Sequence, residues 1–470
     1  VPFDYDLLVL GAGPAGEKGA VQAAQFGKKV AVIERADAPG GAAVHTGTLP
    51  SKTLRETAMY LSGYRNRELY GLDVELNRER AVPKLLARKD AVRELEVARF
   101  RWNLERHGVR VVRGLARFVD AHTVEVLCPS GAPFTMTADN VLVATGSKPF
   151  RPPHVPFDDE DVDDSDTVLL LDRLPRSIAV LGAGVIGCEY ASMFAALRVA
   201  VTLVEPRPRL LPFLDFEIGE RLRQGMHALG VHTRLGEVVT RVERTARTAE
   251  GGLEVAYENG ETQRVDKVLV ASGRSGRTDE LNLAAVGIET DKRGYIKVDE
   301  RYRTAAPNVY AAGDVIGFPA LASTSMEQAR VAVCEAFGID AHRAVSDVLP
   351  YGIYTIPEVS CVGLSEEEAK TKGVEYVVGR AFYRENARGK IVGDREGLVK
   401  LLFDRGSKKL VGCHCIGERA TELVHIGQAM LVLGGTIDTL VEFVFNYPTL
   451  SETFKYAAYD ALAALTRGNG

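Results

Sequence analysis

Residues 4–34 read DYDLLVLGAGPAGEKGAVQAAQFGKKVAVIE. The apolar run from Leu7 to Leu10 has the character of a buried strand. It leads into Gly11-x-Gly13-x-x-Gly16 and an alanine-rich stretch with helical character. A second apolar run, Val30 to Ile33, then ends in Glu34. This order predicts a βαβ unit. The first glycine makes the tight turn, the second lets the backbone approach a pyrophosphate, and the third permits close helix–strand packing. The helix N-terminus offers N–H groups and a positive dipole end to phosphates. Glu34, at the end of the second strand, can bond both hydroxyls of an adenosine ribose.

The same unit recurs. Residues 177–205 read SIAVLGAGVIGCEYASMFAALRVAVTLVE, with glycines Gly182, Gly184 and Gly187 and a terminal acid, Glu205. Equal spacing separates Gly11 from Glu34 and Gly182 from Glu205. One glycine pattern alone is weak evidence; two in the same frame, each with its acid, predict two dinucleotide sites. VLVATGSKP, 141–149, and VLVASGRSG, 268–276, read as apolar strands closing the two units. NVYAAGDVIG, 308–317, reads as a further buried strand with Gly313-Asp314 at its end. A carboxylate there points into the ligand crevice of a doubly wound sheet, although Asp is also an ordinary turn former.

A chain of 470 residues is too long for one core and should divide into two to four domains. Its make-up, 46% hydrophobic and 26% charged, is that of a soluble globular protein. The net charge of −5 shows no basic excess, which argues against a nucleic-acid partner. No apolar run reaches the length of a membrane span and no charged-then-apolar leader opens the sequence, so no membrane association and a cytoplasmic protein are expected. The cysteines are scattered, unlike a secreted disulfide framework. Only Cys413 and Cys415 lie close together; alternation puts both on one strand face, where they read as small core residues and not as a metal site.

RPPHVPFDDEDVDDSD, 151–166, is rich in Pro and Asp and reads as a solvated connection between domains. Residues 81–107, with the only tryptophan, Trp102, read as a long charged helix. VKLLFDRGSKKLVGCHCIG reads as a hairpin around Arg405-Gly406, followed by an amphipathic helix over 422–432 on which His425 reads as interfacial.

After the first unit comes GGAAVHTGTLPSK, 40–52. It resembles the GG-x-C-x₄-C-x-PSK loop of the class I pyridine nucleotide–disulfide oxidoreductases, lipoamide dehydrogenase among them, and the likeness extends over almost the whole chain. The resemblance implies that the first unit binds FAD and the second NAD(P). It implies that Arg35, Gly40 and Gly41 continue the FAD site and that Asp314 contacts the ribityl chain and phosphate. It adds Thr48, Ala116, Thr145, Gly146, Gly273 and Ala322 as cofactor contacts. Lys52 of the PSK run would sit beside the flavin ring and pair with Glu189. Its charge would stabilise the anionic reduced ring and favour hydride acceptance.

Two departures are informative. The cysteine positions hold Ala43 and Thr48, and the family's C-terminal H-P-T-x-x-E reads Tyr447-Pro448-Thr449-Leu450-Ser451-Glu452. A phenol titrates near pH ~10, so Tyr447 is a poor substitute for an imidazole base and reads as interface packing. A branch of the family, the soluble pyridine nucleotide transhydrogenases, is similar at both places. It has Thr at the second position within His45-Thr46-Gly47-Thr48-Leu49-Pro50-Ser51-Lys52 and a Tyr in FNYPT. It also has segments like GAGVIGCEYAS, YTIPE and HCIGERA. Ala43 departs from a lone Cys of that branch, which could form no disulfide by itself.

The expected architecture is α/β, with two Rossmann-type dinucleotide-binding domains plus an α+β C-terminal dimerisation domain. The expected division is 1–150 and 276–345 for FAD, 151–275 for NAD(P), and 346–470 for the interface of a homodimer. Whether dimers assemble further is not legible. The expected activity is hydride transfer between NADPH and NAD⁺ through FAD, with NAD(H) and NADP(H) as partners. The alternative is an NAD(P)H:acceptor reductase serving a quinone or dye. A non-catalytic flavin-binding protein or redox sensor is disfavoured by Lys52, Glu189 and both nucleotide motifs. Glu205 should favour NAD(H) by repelling a 2′-phosphate, whereas Arg207 and Arg209 just beyond could attract that phosphate or simply be solvated.

Overall fold

The computed structural model describes residues 2–64, 69–71, 76–245, 252–341 and 344–467. The chain forms two compact units. One comprises Val1–Thr53, Leu86–Phe150 and Gly273–Ser346, and the other Leu54–Leu85, Arg151–Ser272 and Asp347–Gly470.

In the first unit, strand Tyr5–Leu10 lies between Val30–Glu34 and Phe134–Val143, parallel to both. Arg110–Arg113 extends the sheet on one side and Val309–Ala311 pairs with Phe134–Val143 on the other, again in parallel. Leu115–Phe118 and Thr123–Leu127 add an antiparallel meander. Leu7 and Val9 pack into one apolar cluster while Leu8 and Leu10 pack into another, so the strand is buried on both faces. That explains its unbroken apolar run. The helices Pro14–Gln25 and Ala322–Ala336 supply residues to the Leu7 side.

The second unit repeats the plan. Five of its strands run parallel in the order Val231–Leu235, Ala200–Glu205, Ser177–Leu181, Lys267–Val270, Val162–Asp164. The C-terminal part is a five-stranded antiparallel sheet with helices Ala420–Leu433 and Glu452–Arg467. The expected hairpin is there as Leu398–Asp404 against Leu410–Ile416. Cys413 and Cys415 are fully buried with sulfurs 3.9 Å apart. His425 is exposed and bonds Gln428. The long helix spans Arg78–Arg106.

The Asp-rich run is not the solvated connection expected. Val162–Asp164 is an edge strand of the second parallel sheet, and Asp161, Asp163 and Asp164 are buried. Their charge is met from distant segments. The buried Lys267 ammonium lies 3.0 Å from Asp163 and 3.6 Å from Asp161. Arg244 bonds Asp159 and Asp161, Arg173 bonds Asp161, and Arg151 bonds Asp164. Burial pushes the Asp161 carboxyl up, yet the bonds from Arg244 and Arg173 hold it below its ordinary value. Bonding by Arg244 lowers Asp159 likewise.

Two outcomes follow. Lys267→Met strands Asp163 without its buried counter-charge and should cost about 3 kcal/mol, seen as a lowered denaturation midpoint. The carboxylates Asp159 and Asp161, lowered in the folded state, contribute stability that is complete above about pH 5. That contribution should fade as pH falls below 3.8 and through their lower folded values, read as a melting midpoint that drops in that window.

Candidate nucleotide and flavin sites

Each unit builds its glycine loop in the same geometry. Gly11 has φ +104° and Gly182 φ +106°, and a Cβ at either would lie 2.5 or 2.6 Å from a neighbouring strand's carbonyl oxygen, that of Ala144 or Ala271. A Cβ at Gly16 would lie 1.9 Å from the Gly11 oxygen, and one at Gly187 1.8 Å from that of Gly182. The middle glycines differ in kind. A Cβ at Gly13 would meet only Gly41 Cα at 3.6 Å, and one at Gly184 would meet nothing within 4 Å. The protein itself leaves space there, which suits approach by a ligand. Gly13 and Gly184 cap the helices Pro14–Gln25 and Val185–Ala196, and neither helix start is capped by a side chain. Two uncapped helix N-termini thus present N–H donors to an anion.

The acids close each loop. Glu34 accepts from the backbone N–H of Ala12 at 2.7 Å and of Ala36 at 2.9 Å. Glu205 accepts from Ala183 at 2.8 Å and from Arg207 at 3.1 Å. The two sites then diverge. The Arg207 guanidinium grips Glu205 with both arms, Nε to Oε1 at 2.7 Å and Nη2 to Oε2 at 3.1 Å. Arg35 instead reaches Glu280 at 3.4 Å. Burial pushes the Glu205 carboxyl up, but the Arg207 and backbone bonds win and hold it below its ordinary value. Arg209 donates to the Leu214 carbonyl at 2.6 Å, so its head is engaged within its own loop.

The first unit brings Gly40, Gly41 and Thr145 to the same loop, and places its other expected residues elsewhere in the unit. Gly40 donates to Ala12 O at 2.8 Å, and a Cβ on Gly41 would strike Gly13 Cα at 2.7 Å. Thr145 adjoins Gly11, and its Oγ1 is buried with no protein partner. Asp314 lies in the 3₁₀ turn Gly313–Ile316 after strand Val309–Ala311 and accepts from Ser147 Oγ at 2.9 Å. Gly313 stands against Ala15 at the start of the first helix, and its N–H donates to Gln328 at 2.9 Å. Ala322 begins helix Ala322–Ala336. Gly146 and Gly273 have positive φ, and Gly273 O accepts from Phe150 N. Ala116 is buried in the meander strand Leu115–Phe118.

The loop 40–52 turns through the short helix Gly41–His45 into helix Thr48–Ser62. Ala43 is half-buried and Thr48 exposed. Lys52 Nζ donates to Ser51 Oγ at 3.3 Å. In the second unit Glu189, nearly buried, accepts from the Tyr354 N–H at 3.0 Å. Tyr447 is exposed, and Glu452 accepts from Thr449 N at 3.3 Å. Ser147, Gln328 and Tyr354 were not singled out in the sequence. Their partners lie 167, 15 and 165 positions away, and none stands in a glycine motif.

Two glycine loops on two parallel sheets, with an antiparallel C-terminal sheet, define a two-dinucleotide oxidoreductase class. Residues 5–336 match the family model "Pyridine nucleotide-disulphide oxidoreductase", and residues 349–458 match that family's dimerisation domain. The chain belongs to this family. It is 46% identical over 460 residues to a soluble pyridine nucleotide transhydrogenase of Mycobacterium bovis, covering 98% of this chain and 97% of that one. It is 41% identical over 469 residues to the protein of the same name from Pseudomonas aeruginosa, covering 98% and 99%. Among solved structures it is similar to the HOCl-induced flavoprotein disulfide reductase RclA from Escherichia coli. There the TM-score is 0.85 and the identity 27%, over 96% of this chain and 98% of that one.

The Glu205–Arg207 pair generates a prediction. Arg207→Ala should weaken NADP(H) binding selectively, and Glu205→Ala should strengthen it, since two like charges at ~4 Å and an effective dielectric of about 20 repel by roughly 4 kcal/mol before screening. Dissociation constants for NADH and NADPH with each variant check this; equal effects of Arg207→Ala on both would remove the phosphate role.

Proposed function

We propose that this chain is an FAD-dependent transhydrogenase catalysing NADPH + NAD⁺ ⇌ NADP⁺ + NADH. The observation that carries the reading is a loop that keeps its lysine and its two flanking nucleotide motifs but has Ala43 and Thr48 where the family's disulfide would stand. A two-dinucleotide frame without sulfur can still exchange hydride between nicotinamides, a reaction that needs no thiolate and no base to form one. The names of the relatives at 46% and 41% identity support the same reaction.

The residues of the first unit fit FAD. The orphaned Thr145 hydroxyl, the uncapped helix start after Gly13 and the bonded carboxylate of Glu34 stand at one loop, and Gly313, next to Asp314, stands against Ala15 of its helix. When bound, FAD supplies a carrier that takes a hydride from one nicotinamide and returns it to another. The chain's own part is to hold and to bias. Glu34 binds the adenosine ribose, the glycine loops bind pyrophosphates, and Lys52 and Glu189 are the charged residues that serve hydride transfer. Glu205 and Arg207 receive the adenosine end of either nicotinamide. The dimerisation-domain match supports a homodimer, in which Tyr447 packs at the interface. That these relatives are named soluble supports a cytoplasmic setting.

Anaerobic reductive titration should consume two electrons per FAD, and NADPH should reduce an NAD⁺ analogue in steady state faster than it reduces a quinone. Uptake of four electrons would reveal a second redox pair, and preference for the quinone would replace transhydrogenation with acceptor reduction.

A further inference from the structure

Glu189 is held by a strap from another part of the second unit. Residues 354–357 cross one face of helix Val185–Ala196. The Tyr354 N–H donates to Glu189 Oε1 at 3.0 Å, and the Ile356 N–H donates to Ser192 Oγ at 3.1 Å. These two acceptors stand three positions apart and so share a helix face. The carbonyl between them, that of Thr355, is gripped by a buried arginine. Arg55 donates to it from Nε at 3.1 Å and from Nη2 at 3.0 Å. The same Nη2 lies 3.2 Å from Glu358, and Nη1 bonds Glu56. Glu358 in turn accepts from Thr421 Oγ1 at 3.1 Å.

The strap therefore cannot slide along the helix without breaking bonds to a buried guanidinium. A fork with donors in fixed relative positions suits this task. An ammonium at the same place would keep the charge but lose the paired contact. A buried cation is costly unless fully bonded, and the bonds Arg55 makes are spent on the strap and the acids beside it. We propose that Arg55 is a positioning residue for the hydride-transfer site, fixing Glu189 through the strap 354–357. This rests on the reading above, in which Glu189 is a charged residue that serves hydride transfer.

The test uses the flavin-loaded protein and a single half-reaction, anaerobic reduction of the flavin by NADH, followed by rapid mixing for the parent, Arg55→Gln, Arg55→Lys, Glu189→Gln and the double variant Arg55→Gln/Glu189→Gln. Arg55→Gln should slow the limiting rate about tenfold or more, because small misplacement of a charged group beside reacting atoms is expensive. The NADH concentration at half-maximal rate should stay within about twofold. Arg55→Lys should recover part of the loss. In the Glu189→Gln background the further effect of Arg55→Gln should nearly vanish, as two residues acting through one contact are not additive. The same fold-loss in both backgrounds would make Arg55 merely structural, and an unchanged rate in Glu189→Gln would remove the group it serves; either overturns the proposal. If Arg55→Gln does not fold, Arg55→Lys carries the same cycle. A parent protein that NADH reduces but that passes no hydride to an NAD⁺ analogue would sink the transhydrogenase reading alone and leave this cycle interpretable.

Discussion

The third glycine of each motif sets the distance on which both sites depend. With 1.9 Å between a would-be Gly16 Cβ and the Gly11 oxygen, and 1.8 Å at the second pair, any side chain would push the helix off its strand. Because there is none, the helix starts directly over the strand end. Its first N–H groups then converge on the mouth of the loop and stay unspent on the protein. The carboxylate at the end of the next strand follows from the same closeness. Glu34 and Glu205 each reach a loop N–H, at 2.7 and 2.8 Å, only because the loop lies within a side chain's length of the neighbouring strand. One backbone contact thereby holds a helix start and a strand-end carboxylate at a fixed separation, twice in one chain.

The second unit buries more charge than its composition suggests, and buries it in closed sets. Asp215, Glu217 and Glu366 bring their oxygens within 4.8 Å of one another, a spacing that would suit a metal ion. Lys400 is the cation that stands there. Its ammonium is 2.7 Å from Asp215, 2.5 Å from Glu366 and 3.2 Å from Glu217. Burial works against its charge, and the carboxylates beside it raise it above its ordinary value all the same. Such sets tie the sheet of the nucleotide domain's sequence neighbours to the antiparallel sheet, since Asp215 caps the helix Phe216–Leu229 and Lys400 sits on strand Leu398–Asp404. They add register and specificity more than net stability.

What could be seen in the sequence was local. Strand runs, glycine spacing and the acid at each strand end all lie within one short βαβ unit, so period and spacing determine them. The Asp-rich run failed for the opposite reason. Its composition is that of a linker, and the groups that let it become a buried strand include Lys267 and Arg244, about a hundred positions on. The same blindness hid the strap. Arg55 and Thr355 are 300 positions apart, and neither belongs to a pattern with a period. Ser147, which bridges to Asp314, was quoted only as part of a strand.

The Glu205–Arg207 pair bears on how one pocket can serve two nicotinamides. A bare carboxylate at this point favours the 2′-hydroxyl of NAD and repels the phosphate of NADP, and a bare guanidinium does the reverse. Either alone would starve an exchange reaction of one partner. Paired through two bonds, the groups present little net charge to an incoming ribose. The pair is also asymmetric. Glu205 is buried and tied to the backbone of the loop, whereas half of the Arg207 side chain is exposed. The mobile member is therefore the cation, which can leave its carboxylate for a phosphate at the cost of one ion pair and the gain of another. The fixed member is the acid, which stays bonded to the loop backbone at Ala183. If the pair receives the adenosine end as proposed, such an exchange would bring the two binding energies close without making them equal, with the residual bias toward NAD(H), whose binding asks no residue to move.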